Sequence, residues 1–129
     1  MKLGVDSYTL RNSGLDPIGV LQLSGELGLD GVLFELSPFQ SFRDPDLERI
    51  RGTADELGLF LEFGMGSIFP WHPMAEKGKR LLAEAGYDTA VSDARLVIYH
   101  LEIARKLGSN LLRCVAGDLF TRDAGHDIA

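Results

Sequence analysis

Three times in this chain an apolar stripe at helical spacing closes on a glycine and runs at once into a short, largely apolar segment. Leu27-Gly28-Leu29 precedes Val32–Leu36, Leu57-Gly58-Leu59 precedes Phe60–Phe63, and Leu107-Gly108-Ser109 precedes Leu111–Val115. Glycine just past a helix takes the left-handed conformation that other residues resist, so the last helical carbonyls find donors while the chain reverses. The run that follows, about five residues of Val, Leu and Phe, is too short for a helix and reads as a strand covered on both faces. Helix, glycine and strand in repetition predict βα units.

Taken in order, Lys2–Leu10 alternates as a first strand, with Leu3, Val5 and Ser7 on one side and Gly4, Asp6 and Tyr8 on the other. Asp16-Pro17 opens a first helix that runs to about Leu27, because aspartate accepts from free amides and proline loses nothing at the first helical position. The second helix opens with the same pair, Asp44-Pro45, and carries Leu47, Ile50, Ala54 and Leu57 on one face. Phe60–Met65 forms the third strand. Ser67–Val91 is irregular: the prolines of Phe69-Pro70-Trp71-His72-Pro73 exclude a central strand or helix interior, and a short helix is expected over Lys77–Ala85. Ser92 caps a longer helix bearing Val97, Ile98, Leu101, Ala104 and Leu107, before a fourth strand at Leu111–Ala116. The fold class is therefore α/β, with parallel (β/α) repeats and about four strands, and any site belongs at the C-terminal edge of the sheet.

The 129 residues are about half of a typical (β/α)₈ barrel of roughly 250. Residues 1–117 read as the N-terminal half of such a domain, and 118–129, with no apolar periodicity, as a frayed tail. Asp and Glu number 19 against 13 Lys and Arg, a charge of −6, which argues against nucleic acid or an anionic membrane as partner. The single cysteine, Cys114, sits in the apolar fourth strand, so no internal disulfide forms and a reducing, cytoplasmic setting is expected. The N-terminus lacks a long apolar segment, and no window approaches a membrane span.

Three stretches together resemble one family: the first strand KLGVDSYTL, the second GLDGVLFEL with Glu35 near its end, and ARKLGSNLLRCV before the fourth. They resemble the xylose isomerase-like TIM barrels of the sugar phosphate isomerase/epimerase type, over Met1 to about Gly117. The resemblance implies the first half of the barrel, a sugar or sugar phosphate substrate, and a divalent metal (Mn, Mg, Zn or Co) held by carboxylates and histidine. That metal polarises the sugar carbonyl and alcohol while paired glutamates move a proton between adjacent carbons or invert one. In epimerase-type members those groups lie mostly on strands five to eight, so the resemblance implies no catalytic residue and no metal ligand on this chain, and little or no activity by itself. It carries over Glu35 as an inward-pointing residue on the site floor, and the region after the third strand as a substrate-lining loop. Two alternatives stand beside it: a non-catalytic half-barrel acting by assembly or ligand binding with a partner chain, and the apurinic/apyrimidinic endonuclease branch. The latter needs a histidine-rich trinuclear zinc site, for which three histidines and an acidic charge are a poor match.

Candidate substrate-binding residues are Glu35, His72, Trp71, Tyr8 and Arg113. A carboxylate in an apolar strand needs compensation, and an inward ion-pair layer of Glu35, Glu62 and Arg113 would provide it, with a purely structural network as the blander reading. His72 follows a strand end beside Trp71 and is the best single histidine, although packing within the loop explains it as well. Trp71, Phe69 and Phe39 make either a wall for a sugar ring or a small loop core. Asp6 and Tyr8 end the first strand on one face, and Lys77, Lys79 and Arg80 form a basic run that is either phosphate-directed or a solvated helix face. His100 and His126 read as structural or solvated. Two unsatisfied sheet edges predict either a homodimer or docking to a missing C-terminal half.

Overall fold

The computed structural model describes residues 1–67 and 72–114. The elements are β1 (Gly4–Asp6), a 3-10 turn (Ser7–Leu10), α1 (Pro17–Glu26), β2 (Gly31–Phe34), α2 (Asp44–Glu56), β3 (Phe60–Gly66), α3 (Pro73–Glu84), α4 (Asp93–Lys106) and β4 (Leu112–Cys114). The strands form one parallel sheet in the order β1-β2-β3-β4. This is the α/β arrangement of half a (β/α) barrel.

The repeated helix–glycine–strand device closes identically each time. Gly28 (φ 70°), Gly58 (φ 67°) and Gly108 (φ 82°) are left-handed. In each copy the glycine amide donates three residues back, and the next amide five back: Leu29 N to Ser24 O at 3.0 Å, Leu59 N to Ala54 O at 2.9 Å, Ser109 N to Ala104 O at 2.9 Å. These paired bonds satisfy the last helical carbonyls and aim the chain into the sheet.

The helix starts follow less uniform rules. Asp16 Oδ1 accepts from Gly19 N at 2.8 Å with Pro17 at the first helical position, and Ser92 Oγ accepts from Arg95 N at 3.2 Å. Asp44 does not repeat the Asp16 cap. Arg43 occupies the cap position of α2 without a side-chain bond, and Asp44 lies in the first turn, where Lys106 Nζ reaches its Oδ1 at 2.7 Å. Helix α3 is longer than the expected Lys77–Ala85, because Pro73 is tolerated at its first position and His72 Nδ1 accepts from Met74 N at 3.1 Å. The first strand is shorter than expected. At Asp6 the chain turns: Oδ1 accepts from Tyr8 N at 3.0 Å and the Thr9 hydroxyl donates to Asp6 O at 2.7 Å, folding Ser7–Leu10 into the 3-10 turn. In the fourth strand only Leu112–Cys114 is described, and Cys114 is exposed rather than enclosed in an apolar strand. Val115, Ala116 and the expected tail at 118–129 lie outside the described residues.

Strand register divides the sheet into two unlike faces. Val32, Phe34, Leu61, Phe63 and Met65 are all buried, and all but Met65 belong to the same cluster as Val20 and Leu21 of α1, Leu47 and Ile50 of α2, Leu81 and Leu82 of α3, and Leu96 and Ile103 of α4. All four helices therefore cover one face. The other face carries Gly4, Asp6, Gly31, Leu33, Phe60, Glu62, Gly64 and Arg113, of which Asp6, Leu33 and Glu62 are half-buried and Phe60 and Arg113 exposed. The expectation of strands covered on both faces is corrected here. The core is centred on Phe34, Phe39, Phe42 and Phe63, which meet edge to face with centroids 5.4–6.0 Å apart. Phe39, a candidate for a ligand-facing wall, is a core residue.

On the open face the Phe60 ring lies across Gly31, where a Cβ would come within 2.5 Å of ring carbons. Gly31→Ala is therefore expected to lower unfolding free energy by about 1–3 kcal/mol. Combining it with Phe60→Ala should cost less than the two single changes together, because the obstacle is gone. Urea titrations of the four proteins measure the coupling, and strict additivity would place the strain elsewhere.

Candidate functional site

The C-terminal ends of β1 and β2 converge on Glu35. Its burial, only 7% exposed, requires that its oxygens be satisfied, and they are. Oε2 accepts from Ser37 N at 2.9 Å, Oε1 accepts from the Ser37 hydroxyl and from Ser7 Oγ at 3.4 Å, and Glu35 N donates back to Ser7 Oγ at 2.9 Å. The carboxylate thus ties the turn after β1 to the loop after β2. Helix α3 adds Lys77, whose Nζ donates to Ser37 O at 2.7 Å. Burial holds the Lys77 ammonium below the usual lysine range, opposed by the nearby Glu35 charge and assisted by Arg80.

Beside this cluster opens a cleft of about 140 Å³ lined by Ser7, Arg11, Asp16, Ser37 and Gln40. It lies on the edge where parallel α/β sheets place their ligands. Arg11 donates to Tyr8 O at 2.9 Å and its guanidinium stacks 4.1 Å above the Tyr8 ring. Hydroxyls, an amide, a carboxylate and a guanidinium around a small cleft suit a polyhydroxylated ligand with or without a negative group. A larger depression at the starts of β3 and β4, lined by Arg51, Asp55, Glu62 and Asn110, sits on the opposite edge.

The expected ion-pair layer of Glu35, Glu62 and Arg113 is not formed. Arg113 Nη2 instead meets Asp6 Oδ2 at 3.1 Å, reaching from β4 toward β1 across the open face. Its register partner is Gly64, where a Cβ would stand 3.5 Å from Arg113 Cβ, an ordinary contact. Glu62 is half-buried and has no hydrogen bond or ion pair among the described residues. Of the candidates, Glu35 and Tyr8 stand beside this cleft without lining it, Glu35 behind Ser7 and Ser37 and Tyr8 behind Arg11. Tyr8 itself is 52% exposed and lies in the 3-10 turn, not at a strand end. His72 is spent on capping α3, and Arg113 on Asp6. Trp71 and Phe69 lie outside the described residues, as does His126. The basic run is split: Arg80 is exposed, whereas Lys77 turns inward. Ser7, Ser37 and Arg11 were not singled out from sequence, although Ser37 two residues after a buried glutamate and Arg11 three after Tyr8 are local signals.

Among the described residues no group of three or more His, Cys, Asp or Glu could hold a metal ion. Glu35 and His72 already have their acceptor atoms engaged, and Asp6 is shared between Tyr8 N and Arg113, so these side chains do not fit a metal. Among the described residues no helix is long and apolar enough to cross a membrane. Comparison with protein-family models, curated proteins and solved structures finds no match to this chain.

His100 is the remaining buried titratable group, 3% exposed on α4 and stacked on Phe63 at 6.4 Å. Nδ1 bonds Leu96 O at 2.8 Å, while Nε2 has no partner among the described residues and faces Gly78. Burial lowers its pKa below 6.5, against the raising effect of the Leu96 carbonyl. The unfolded chain then binds the proton more readily, so this stability is complete above about pH 6.5 and falls as pH drops below it, by up to about 1.4 kcal/mol per unit. Urea midpoints from pH 7.5 to 5 should show this slope, and His100→Gln should flatten it. Separately, Glu35→Gln should cost about 1–3 kcal/mol, because an amide presents a donor where the carboxylate accepts three. An unchanged urea midpoint would deny the carboxylate its tethering role.

Proposed function

We propose that this chain is the N-terminal part of a sugar or sugar phosphate isomerase/epimerase of the xylose isomerase-like barrel type, incomplete and inactive alone. The observation that carries the reading is the cleft at the C-terminal ends of β1 and β2, where Glu35 anchors Ser7 and Ser37 beside Arg11 and Gln40. In this reading the chain's own residues bind and orient: Ser7, Ser37 and Gln40 contact sugar hydroxyls, and Arg11 takes an anionic end. The metal and the proton-moving glutamates of such an enzyme belong to strands outside this chain, and no step is assigned to them here. A cytoplasmic location is part of the same proposal and rests on the single cysteine.

One observation favours the second reading, a non-catalytic half-barrel that binds or assembles with a partner chain. Both oxygens of Glu35 are occupied by protein donors, which suits a structural tie better than a proton carrier. Nothing in the described histidines favours the endonuclease branch, since His72 caps a helix and His100 is buried in the core.

Two measurements test the proposal. The purified chain with Mn²⁺ and a panel of aldoses, ketoses and their phosphates in D₂O should show no solvent exchange at carbon, and metal-dependent turnover would overturn its incompleteness. Sugar phosphates at millimolar concentration should shift the amide resonances of Ser7, Arg11, Ser37 and Gln40, with Arg11→Ala weakening the effect several-fold. Unmoved resonances across the panel would remove the cleft as a sugar site.

A further inference from the structure

We infer that the open sheet face and its two edges are a docking surface for a second copy of this chain, which closes an eight-stranded parallel barrel by placing β4 of each copy beside β1 of the other. The inference goes beyond the sugar reading, and the second copy takes the face and edges that the remaining strands of a complete barrel would take.

It begins with the topology. The four strands run parallel in the order β1-β2-β3-β4, so β1 and β4 are the two edges. All four helices lie on one face, and the other face, which no helix covers among the described residues, is that of a barrel interior. A two-fold axis along such a barrel gives the order 1-2-3-4 followed by the partner's 1-2-3-4, with every strand parallel and no edge left. Any other pairing of these edges by a two-fold leaves strands antiparallel or the face uncovered.

Charge on the two edges selects the same arrangement. Asp6 on β1 and Arg113 on β4 carry opposite signs on the same face, 33% and 52% exposed, and already meet at 3.1 Å within one chain. When β4 docks beside the partner copy's β1, the same guanidinium faces the equivalent carboxylate, so the two internal pairs of the two copies are exchanged for two pairs, one across each seam. Apolar surface lies where the contact would cover it: Phe60 at 36% on the uncovered face, and Leu111 at 46% at the start of β4. On α4, which packs on β3 and β4, Ile98 and Leu101 form an exposed pair at 43% and 47%. The assembly sets two copies of the Glu35 cleft on one rim.

The test is a charge-swap mixture of the full 129-residue chain, read by light scattering on a sizing column. Wild type should give the mass of a dimer. Asp6→Arg alone and Arg113→Asp alone place like charges at both seams, and each should weaken the dimer about tenfold or more. Mixing the two restores an opposite pair at each seam, so a heterodimer should form. A pair confined to one chain predicts no rescue on mixing. Because Asp6 also holds the turn at Tyr8, Asp6→Asn and Arg113→Gln serve as milder versions, in which mixing restores one pair of two. A monomer at every concentration, species larger than a dimer, or a dimer indifferent to these changes would each overturn the inference.

Discussion

The four helices among the described residues fall on the same face of the sheet because each βα unit advances by one strand, in one direction, with one hand. From that constraint the distribution of side chains follows. Positions facing the helices must fill a shared core, and they carry Val32, Phe34, Leu61, Phe63 and Met65. Positions on the other face have no helix above them among the described residues and carry glycine, charge, Leu33 and the ring of Phe60. Phe60 occupies the space that a side chain at Gly31 would otherwise need, while at Gly4 the Gly31 carbonyl leaves no room for one.

The same constraint explains what was legible in the sequence. The glycine closures repeat because each helix must hand the chain back to the sheet by the same geometry, and three of them are visible as Leu-Gly pairs followed by apolar residues. The strand order and fold class follow from those repeats. What was not legible depends on a neighbour distant in sequence. Asp44 looks like Asp16 locally, yet α4 brings Lys106 to it and its side chain turns away from the cap. Lys2–Leu10 alternates like a strand to its end, but Asp6 and Thr9 offer local bonds that turn the chain sooner. The apolar runs suggested burial on both faces because nothing in a short run tells which side lacks a cover.

The candidate site shows the same division. That Glu35 needed compensation was readable from a carboxylate in an apolar run, since a buried unpaired charge is costly. Which groups supply it was not. Long side chains on neighbouring strands, Glu62 and Arg113, share its face, but two serines near in space are shorter, already ordered by the backbone, and need no further charge to be desolvated. Arg113, released from that role, reaches over Gly64 to Asp6 instead.

Edge length decides how selective the open sheet is toward partners. The edge strand β1 has three residues, against seven in β3. Short edges offer few backbone bonds, so pairing with an arbitrary strand gains little. Asp30 further fixes β1, accepting from Leu3 N at 2.7 Å through Oδ2 and donating its own amide to Leu3 O at 2.7 Å. An exposed ion pair such as Asp6–Arg113 contributes no more than about 1 kcal/mol to folding. Its larger effect is on what the edges accept: a strand with the wrong sign opposite either residue is repelled, and one with the matching sign is aligned. A sheet with one short edge and opposite charges on its two edges therefore discriminates against indiscriminate stacking while accepting a surface patterned like its own.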